Sequence, residues 1–579
     1  MTNVRTNLKR RARSLARRVA YLPVIGRGRA VRRARKAAAC VASAPPVPAG
    51  SVPRNGIVET FERRQVAGWV ETEPGAVPTR VAMYIGETET VGTWAVNPVE
   101  RRGDGEVREF RLALADFWEY ARKTDRVSVR AAGHPLPIVN RGFFYYPRTN
   151  GGRSLGSLRN RQGEGWVFGQ TGRLQLSKSC DFVWQAKVMG LYERVRAAVC
   201  DAFGYDVFLI YGSLLGAVRE GGFIGHDLDF DCAYVSSYRT GQGAAAELAD
   251  IAIALIDRGF DVESRTITLH VQDGRSGGVR LDLFHLFFDE AGMLQFPFGV
   301  AGQSEVHLSH WQGTMEIPLG GSVALIPANG AEMVEHIYGP TWRMPNPGFN
   351  WRRDRTRKAV DARVPVELGA AVYWSNFYAH TSFDKPSSFF AAVAALPRMP
   401  AIVVDLGCGD GRDSIAFART GRRVLGLDRA PRAVQRARGA ARAKRVGRRT
   451  DFAVCEFGDA AAVRSALEDV RRAAEDRVLF YARFLLHGMT DEVARTLLQT
   501  VRALAVPGDV FAAEFRTIRD EGLPKVFPRP YRRFVDGAAV AAELTDDGWA
   551  VEIHQEGNGF APFGTEDPQL CRLIARYVS

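Results

Sequence analysis

Nowhere in the 579 residues do eighteen apolar residues run without interruption, the length a helix needs to cross a bilayer. The short apolar piece at residues 19–26 is broken by Pro23 and followed by more arginine, so it reads neither as a span nor as a secretion signal. Cysteine is also scarce. Cys40, Cys180, Cys200, Cys232, Cys408, Cys455 and Cys571 are odd in number, widely spaced and without a C-x-x-C pair, which argues against a disulfide framework or a cysteine zinc site. These absences predict a reduced, cytoplasmic protein. Acid is missing from the first 38 residues, which hold thirteen Lys or Arg. Beyond them the chain is balanced to within one charge, so the net charge of +14 belongs to a tail. A folded face built for specific nucleic-acid binding is therefore not expected.

What is present is an ordinary globular composition, 46% hydrophobic and 25% charged, at a length that predicts three or four domains. Leu8, Leu15, Val19 and Leu22 recur near helical spacing in the basic tail. Residues 37–53 form a proline-rich linker, which sets aside 1–50 as tail and linker. Over 51–150, short alternating runs such as VAGWV, TRVAMYIG, TVGTWAV, EFRLAL and RVSVRAA predict a small β-sandwich. The stretch GIVETFERRQVAGWV followed by TRVAMYIG resembles accessory β-domains attached to bacterial cell-surface polymer transferases. Residues 171–355 alternate helix and strand signals: a helix over 181–203, strands over 207–212, 229–235 and 279–288, and a helix over 244–257. A second α/β domain, 366–579, opens on the β-α-β unit AIVVDLG, DSIAFAR, RRVLGLD.

The first α/β segment carries a cluster of acids. If residues 229–235 are a strand, Asp229 and Asp231 share one face and aim their carboxylates at one point, an arrangement that suits a hard cation. Mg²⁺ accepts one or two carboxylates together with phosphate oxygens, so a nucleoside diphosphate would complete the shell. Gly212 lets a phosphate approach the backbone, Ser213 offers a hydroxyl, and Asp282 on the 279–288 strand supplies a third carboxylate. An EF-hand reading from Asp227 fails, because its sixth position is Cys232 and its twelfth Tyr238. A solvated acidic strand is the plain alternative; the flanking Phe223, Ile224, Leu228 and Phe230 argue for burial.

The run from Tyr211-Gly212-Ser213-Leu214-Leu215-Gly216 through Gly221-Gly222-Phe223-Ile224 to Asp227-Leu228-Asp229-Phe230-Asp231, with the downstream Ile326-Pro327 and Tyr338-Gly339-Pro340-Thr341-Trp342, resembles the LicD/fukutin-type nucleotidyltransferase-fold family. The resemblance implies metal-dependent transfer of a phospho-alcohol from a CDP-linked small-alcohol donor. It implies Asp229, Asp231 and Asp282 as ligands of Mg²⁺ or Mn²⁺, Asp227 as a further acid or base, and Gly212 and Ser213 as phosphate contacts. Leu228 stands where the family often carries another carboxylate.

In the second α/β segment the glycine-rich turn Asp405-Leu406-Gly407-Cys408-Gly409-Asp410-Gly411 sits between an apolar strand and a helix, and the next strand ends at Asp428, placed to accept both hydroxyls of a ribose. This pattern resembles class I S-adenosylmethionine-dependent methyltransferases. The resemblance implies Asp405 as the residue that orients the turn, Gly407 and Gly409 as backbone contacts to the methionine part, Asp428 as the ribose ligand and Glu456 as an adenine-edge contact. His487, Glu514, Arg516 and Tyr531 lie on or after strand ends but carry no assigned role.

The fold class expected is multidomain: a small N-terminal β-sandwich, an α/β nucleotidyltransferase-like domain and a Rossmann-like methyltransferase domain. Together the two resemblances imply a bifunctional transferase acting on a lipid-linked glycan or teichoic-acid-like polymer acceptor. The basic tail would hold it peripherally on the anionic inner face of the cell membrane, with no specific nucleic-acid partner. Two alternatives stay open: a scaffold in which one transferase domain is degenerate and binds glycan, and a nucleotidyltransferase that modifies tRNA.

Overall fold

The computed structural model describes residues 50–96, 98–155, 165–168, 172–275, 277–346, 349–357, 361–474, 477–526 and 531–578. The helix expected in the basic tail, the linker to residue 49 and the membrane contact assigned to the tail lie outside the described residues. The chain divides into two compact units: Met1–Glu193, Phe208–Ala233 and Gly299–Lys358 make one, and Arg194–Val207, Tyr234–Phe298 and Ala359–Ser579 make the other. This division runs through the 171–355 segment that the sequence presents as one α/β domain.

In the first unit, alternation of apolar and polar residues produces two four-stranded antiparallel sheets. One has the order Asn55–Phe61, Gln65–Thr72, Gly105–Ala113, Pro98–Arg102; the other runs Thr88–Ala95, Thr79–Ile85, Val127–Ala131, His134–Pro135. Every second residue of Gln65–Thr72 is buried. A single apolar cluster draws Val66, Val70 and Phe110 from the first sheet and Met83, Val91 and Val129 from the second. Further along this unit, Phe208–Leu209 pairs antiparallel with the strand Asp231–Ser236 through Phe208↔Ala233 and Leu209↔Cys232. The expected strand over 207–212 stops early because Tyr211 takes a left-handed backbone, φ +45°, and opens the short helix Tyr211–Leu215.

In the second unit, Asp261–Ser264, Thr268–Gln272 and Leu281–Phe288 form an antiparallel meander. The helix Gly241–Asp257 begins where the Thr240 hydroxyl accepts the Gly243 N–H at 3.2 Å. The C-terminal part is a seven-stranded sheet ordered Thr450–Val454, Arg423–Asp428, Ile402–Leu406, Val478–Arg483, Val510–Arg516, Leu570–Tyr577, Trp549–Gly557. Its first five strands are parallel and the last two pairings are antiparallel. All seven residues of Val510–Arg516 are buried, the continuous burial expected of a strand covered on both faces. Strand order reverses at Ile402–Leu406, and in open parallel sheets the crevice beyond the carboxyl ends at such a reversal receives ligands.

Candidate active sites

At that reversal the strand Ile402–Leu406 runs into Gly407, Gly409 and Gly411, with φ of +76°, +55° and +79°, before the helix Arg412–Arg419. Glycine is required at 409 twice over: the backbone is left-handed, and a Cβ there would collide with the Tyr378 hydroxyl. The Asp405 carboxylate is buried and accepts the Ser414 hydroxyl at 2.5 Å. Burial pushes it up to about 7, reinforced by Asp413 and Asp428 and opposed by the Ser414 hydrogen bond. Asp428 accepts the Gly409 N–H at 2.8 Å and the Ala430 N–H at 2.9 Å, and burial raises it too. Each carboxylate oxygen keeps a second lone pair, so a ligand hydroxyl can still be bound.

Asp405, Gly407, Asp428, Arg483, His487, Arg516 and Tyr531 all line one cavity of about 430 Å³. That volume lies within the usual range for small-molecule sites. Two carboxylates that the sequence reading left unassigned hold the lead-in segment to the turn. Asp410 accepts the Phe383 N–H at 3.0 Å. Asp413 accepts from the Ser387 N–H at 2.7 Å, the Ser387 hydroxyl at 2.6 Å and the Tyr481 hydroxyl at 2.8 Å. Their signal in the sequence was an acid inside or just after the glycine-rich turn. Glu456 does not line the cavity; its carboxylate lies 3.3 Å from Arg429, and Phe457 occupies the wall.

The other cluster forms around the turn from Tyr211 into its helix. The Gly212 N–H donates to Asp231 Oδ2 at 3.2 Å, and the Asp231 N–H donates to the Ser213 hydroxyl at 2.8 Å. A Cβ placed on Gly212 would collide with Asp227 Oδ2 and lie 3.5 Å from Asp231 Oδ2. The two carboxylates therefore converge on the bare face of one glycine. Burial raises Asp227 to about 6, with backbone hydrogen bonds from Asp229 and Leu228 lowering it and the Asp229 charge raising it. A wall of rings stands beside them: Trp351 packs 5.5 Å from both Tyr211 and Tyr338. Burial and then the Asp231 charge hold both phenols well above their ordinary range. Arg219 reaches back to the Trp342 carbonyl at 3.2 Å, which ties the downstream Tyr338–Trp342 run to this region.

This geometry differs from the sequence reading at two acids. The strand begins at Asp231, so Asp229 lies in the preceding loop, exposed, and the alternation argument that paired it with Asp231 does not apply. The Asp229 N–H donates to Asp227 Oδ1 at 3.3 Å, and Asp227 takes the place beside Asp231. A turn closed by the Asp227 N–H on the Ile224 carbonyl, 3.1 Å, brings it there, a signal that residue spacing does not carry. Asp282 belongs to the second unit, on Leu281–Phe288, with Arg280 Nε at 3.0 Å and His270 Nε2 at 3.6 Å.

Comparison with known proteins gives one family match around each site. Residues 204–329 match the family described as LicD/FKTN/FKRP, nucleotidyltransferase domain, and residues 400–482 match a methyltransferase domain family. Among solved structures the chain is similar to a SAM-dependent methyltransferase from Anabaena variabilis, with 16% identity over 37% of this chain and 95% of that one, TM-score 0.30. It is similar also to magnesium protoporphyrin IX methyltransferase from Synechocystis with bound SAM, with 17% identity over 39% of this chain and 89% of that one, TM-score 0.25. No curated protein matches the chain. The chain thus joins a LicD domain to a methyltransferase domain, and both are transferases.

Proposed function

We propose that the chain is a bifunctional transferase that adds a phospho-alcohol from a CDP-activated donor to a lipid-linked glycan or teichoic-acid-like polymer and methylates the product or a neighbouring sugar. The observation that carries the first activity is the convergence of Asp227 and Asp231 on Gly212. Two carboxylates beside one glycine fit a hard divalent cation, and the burial that raises Asp227 is the cost such a cation would offset. Asp227 and Asp231 would hold Mg²⁺ or Mn²⁺, with Asp229 as a further acid. When bound, the ion would neutralise charge on the transferring phosphate. Gly212 and Ser213 border the same carboxylates and would contact phosphate oxygens.

For the second activity, the seven-stranded sheet serves as a Rossmann-like frame. The left-handed turn and Asp428 hold S-adenosylmethionine, with Asp405 stiffening the turn through Ser414. When bound, the cofactor would supply an electrophilic methyl group to the acceptor's lone pair. The chain's part is positioning, because alignment behind the methyl carbon accounts for most of the acceleration available. The two N-terminal sheets act as a β-sandwich accessory module.

No described helix is long and apolar enough to cross a membrane. The reading therefore gives membrane contact, at the inner face, to the basic tail. A scaffold reading draws on Leu228, 60% exposed within the acidic loop. Calorimetry with a panel of CDP-linked alcohols separates the two. The transferase reading expects binding that requires Mg²⁺ or Mn²⁺ and is lost in Asp231→Asn while S-adenosylhomocysteine still binds. Donor binding indifferent to chelator and to Asp231→Asn would overturn it.

A further inference from the structure

Trp549–Gly557 is the edge strand of the seven-stranded sheet, and it pairs with Leu570–Tyr577 so that Glu556 stands opposite Cys571 and His554 opposite Leu573. Two residues apart on a strand, His554 and Glu556 share a face. A ring nitrogen of His554, a carboxylate oxygen of Glu556 and Cys571 Sγ all lie within 4.8 Å of one another. Their burial is graded: His554 is exposed, Glu556 intermediate and Cys571 a buried free thiol.

Hydrogen bonding does not account for this grouping. His554 Nε2 stands 3.6 Å from Glu556 Oε1, and Arg519 Nε stands 3.9 Å from Glu556 Oε2, both beyond hydrogen-bond range. Gly537 opens the helix Gly537–Asp546, and a Cβ there would collide with Glu556 Oε1 and Cys571 Sγ. The two strands thus present imidazole nitrogen, carboxylate oxygen and sulfur together, a donor set that Zn²⁺ takes and Mg²⁺ does not. An ion at about 2.0–2.3 Å from each donor requires only small movements of three side chains already this close. The plain alternative, a surface ion pair above a packing cysteine, does not explain why acid and sulfur meet over a bare glycine.

We propose that His554, Glu556 and Cys571 bind Zn²⁺, with a fourth position left to water, and that the ion clasps the neck of the loop these strands enclose. Burial and then the Glu556 charge push the Cys571 thiol up to about 12, so the metal displaces its proton to solvent as the sulfur–zinc bond forms. Glu556 and Cys571 face each other one pair in from the loop 558–569, and Phe560, Phe563, Glu566 and Pro568 of that loop line the cavity shared with Asp405 and Asp428. An ion joining the two strand ends restricts the loop between them. The role is structural, and it stands apart from both proposed transfers.

The test uses the full chain with excess Mg²⁺ present to occupy all-oxygen sites. Zn²⁺ titrated against a competing chelator should bind, and Co²⁺ in its place should give the near-ultraviolet absorption of a thiolate ligand. His554→Ala, at an exposed position, should weaken zinc by more than about tenfold, since loss of even an outer-shell partner costs that much. Cys571→Ala should abolish the thiolate absorption; if that variant fails to fold, His554→Ala decides alone. Amide hydrogen exchange over residues 558–569 should slow on zinc binding in the parent and not in His554→Ala. No bound zinc, equal zinc affinity in parent and His554→Ala, or loop exchange indifferent to zinc overturns the inference, and none of these outcomes touches the reading of either transferase site.

Discussion

At the residue scale, the two buried aspartates of the cofactor turn make separable predictions. Asp428 gives one lone pair on each oxygen to backbone N–H groups. Asp428→Ala should therefore weaken S-adenosylhomocysteine by roughly ten- to hundredfold in calorimetry, through loss of ribose hydrogen bonds and of the brace on Gly409. Asp405 is testable by pH. Its folded value of about 7 lies above that of an exposed aspartate. Between about pH 4 and pH 7 the folded state then binds more protons than the unfolded one, so this group's contribution to stability falls as pH rises through that window. Asp405→Asn removes the titration and keeps an acceptor for the Ser414 hydroxyl. The difference in thermal midpoint, variant minus parent, should rise from pH 4 to pH 7 and then level off, by an amount equivalent to a few kcal/mol. A difference that is flat with pH would show that the carboxylate is not held protonated by burial. Asp405 and Asp428 were legible because a strand–turn–strand pattern fixes where both acids stand. His487 was not, since its place in the cavity wall is fixed by an Arg516 N–H from a distant strand.

At the scale of elements, the parallel strands and the two N-terminal sheets were legible from apolar runs and alternation, which reflect burial on two faces or on one. The acidic loop misled for a physical reason. Asp227, Asp229 and Asp231 alternate like strand residues, yet the chain turns at Ile224–Asp227 and becomes a strand only at Asp231. Likewise the apolar run at 207–212 reads as one strand, while Tyr211 switches to a left-handed backbone and starts a helix. That switch presents Gly212 to both carboxylates, which gives a clean prediction for Gly212→Ala. Gly212 is helical, so the backbone itself favours alanine by up to about 1 kcal/mol. The added Cβ, however, occupies the place of Asp227 Oδ2. The variant should fold with a thermal midpoint near the parent's and lose at least about tenfold in metal-dependent donor affinity, because a displaced carboxylate cannot share a cation with Asp231. Donor affinity equal to the parent's would remove Asp227 from the site.

At the scale of the whole molecule, the distribution of charge separates the tail from everything the structure describes. The thirteen basic residues of positions 1–38 meet no acid among themselves, and the rest of the chain is neutral to within one charge. The tail is therefore the segment of the chain with a net charge that attracts an anionic surface. Each basic residue near such a surface contributes about 1 kcal/mol, so engagement of even half of them outweighs what the few apolar residues at helical spacing in the tail can add. The attraction should be electrostatic and should fade as salt shortens the screening length from about 10 Å at 0.1 M toward about 3 Å at 1 M. Full-length protein should sediment with anionic vesicles at low salt, release as salt rises and ignore neutral vesicles. A chain starting at Ser51 should stay in the supernatant throughout, with S-adenosylhomocysteine affinity unchanged. Equal pelleting of the two chains would move membrane contact to the folded units. Preference of the full-length chain for RNA over anionic vesicles at matched charge would make the tail a polynucleotide arm and return the tRNA reading to contention.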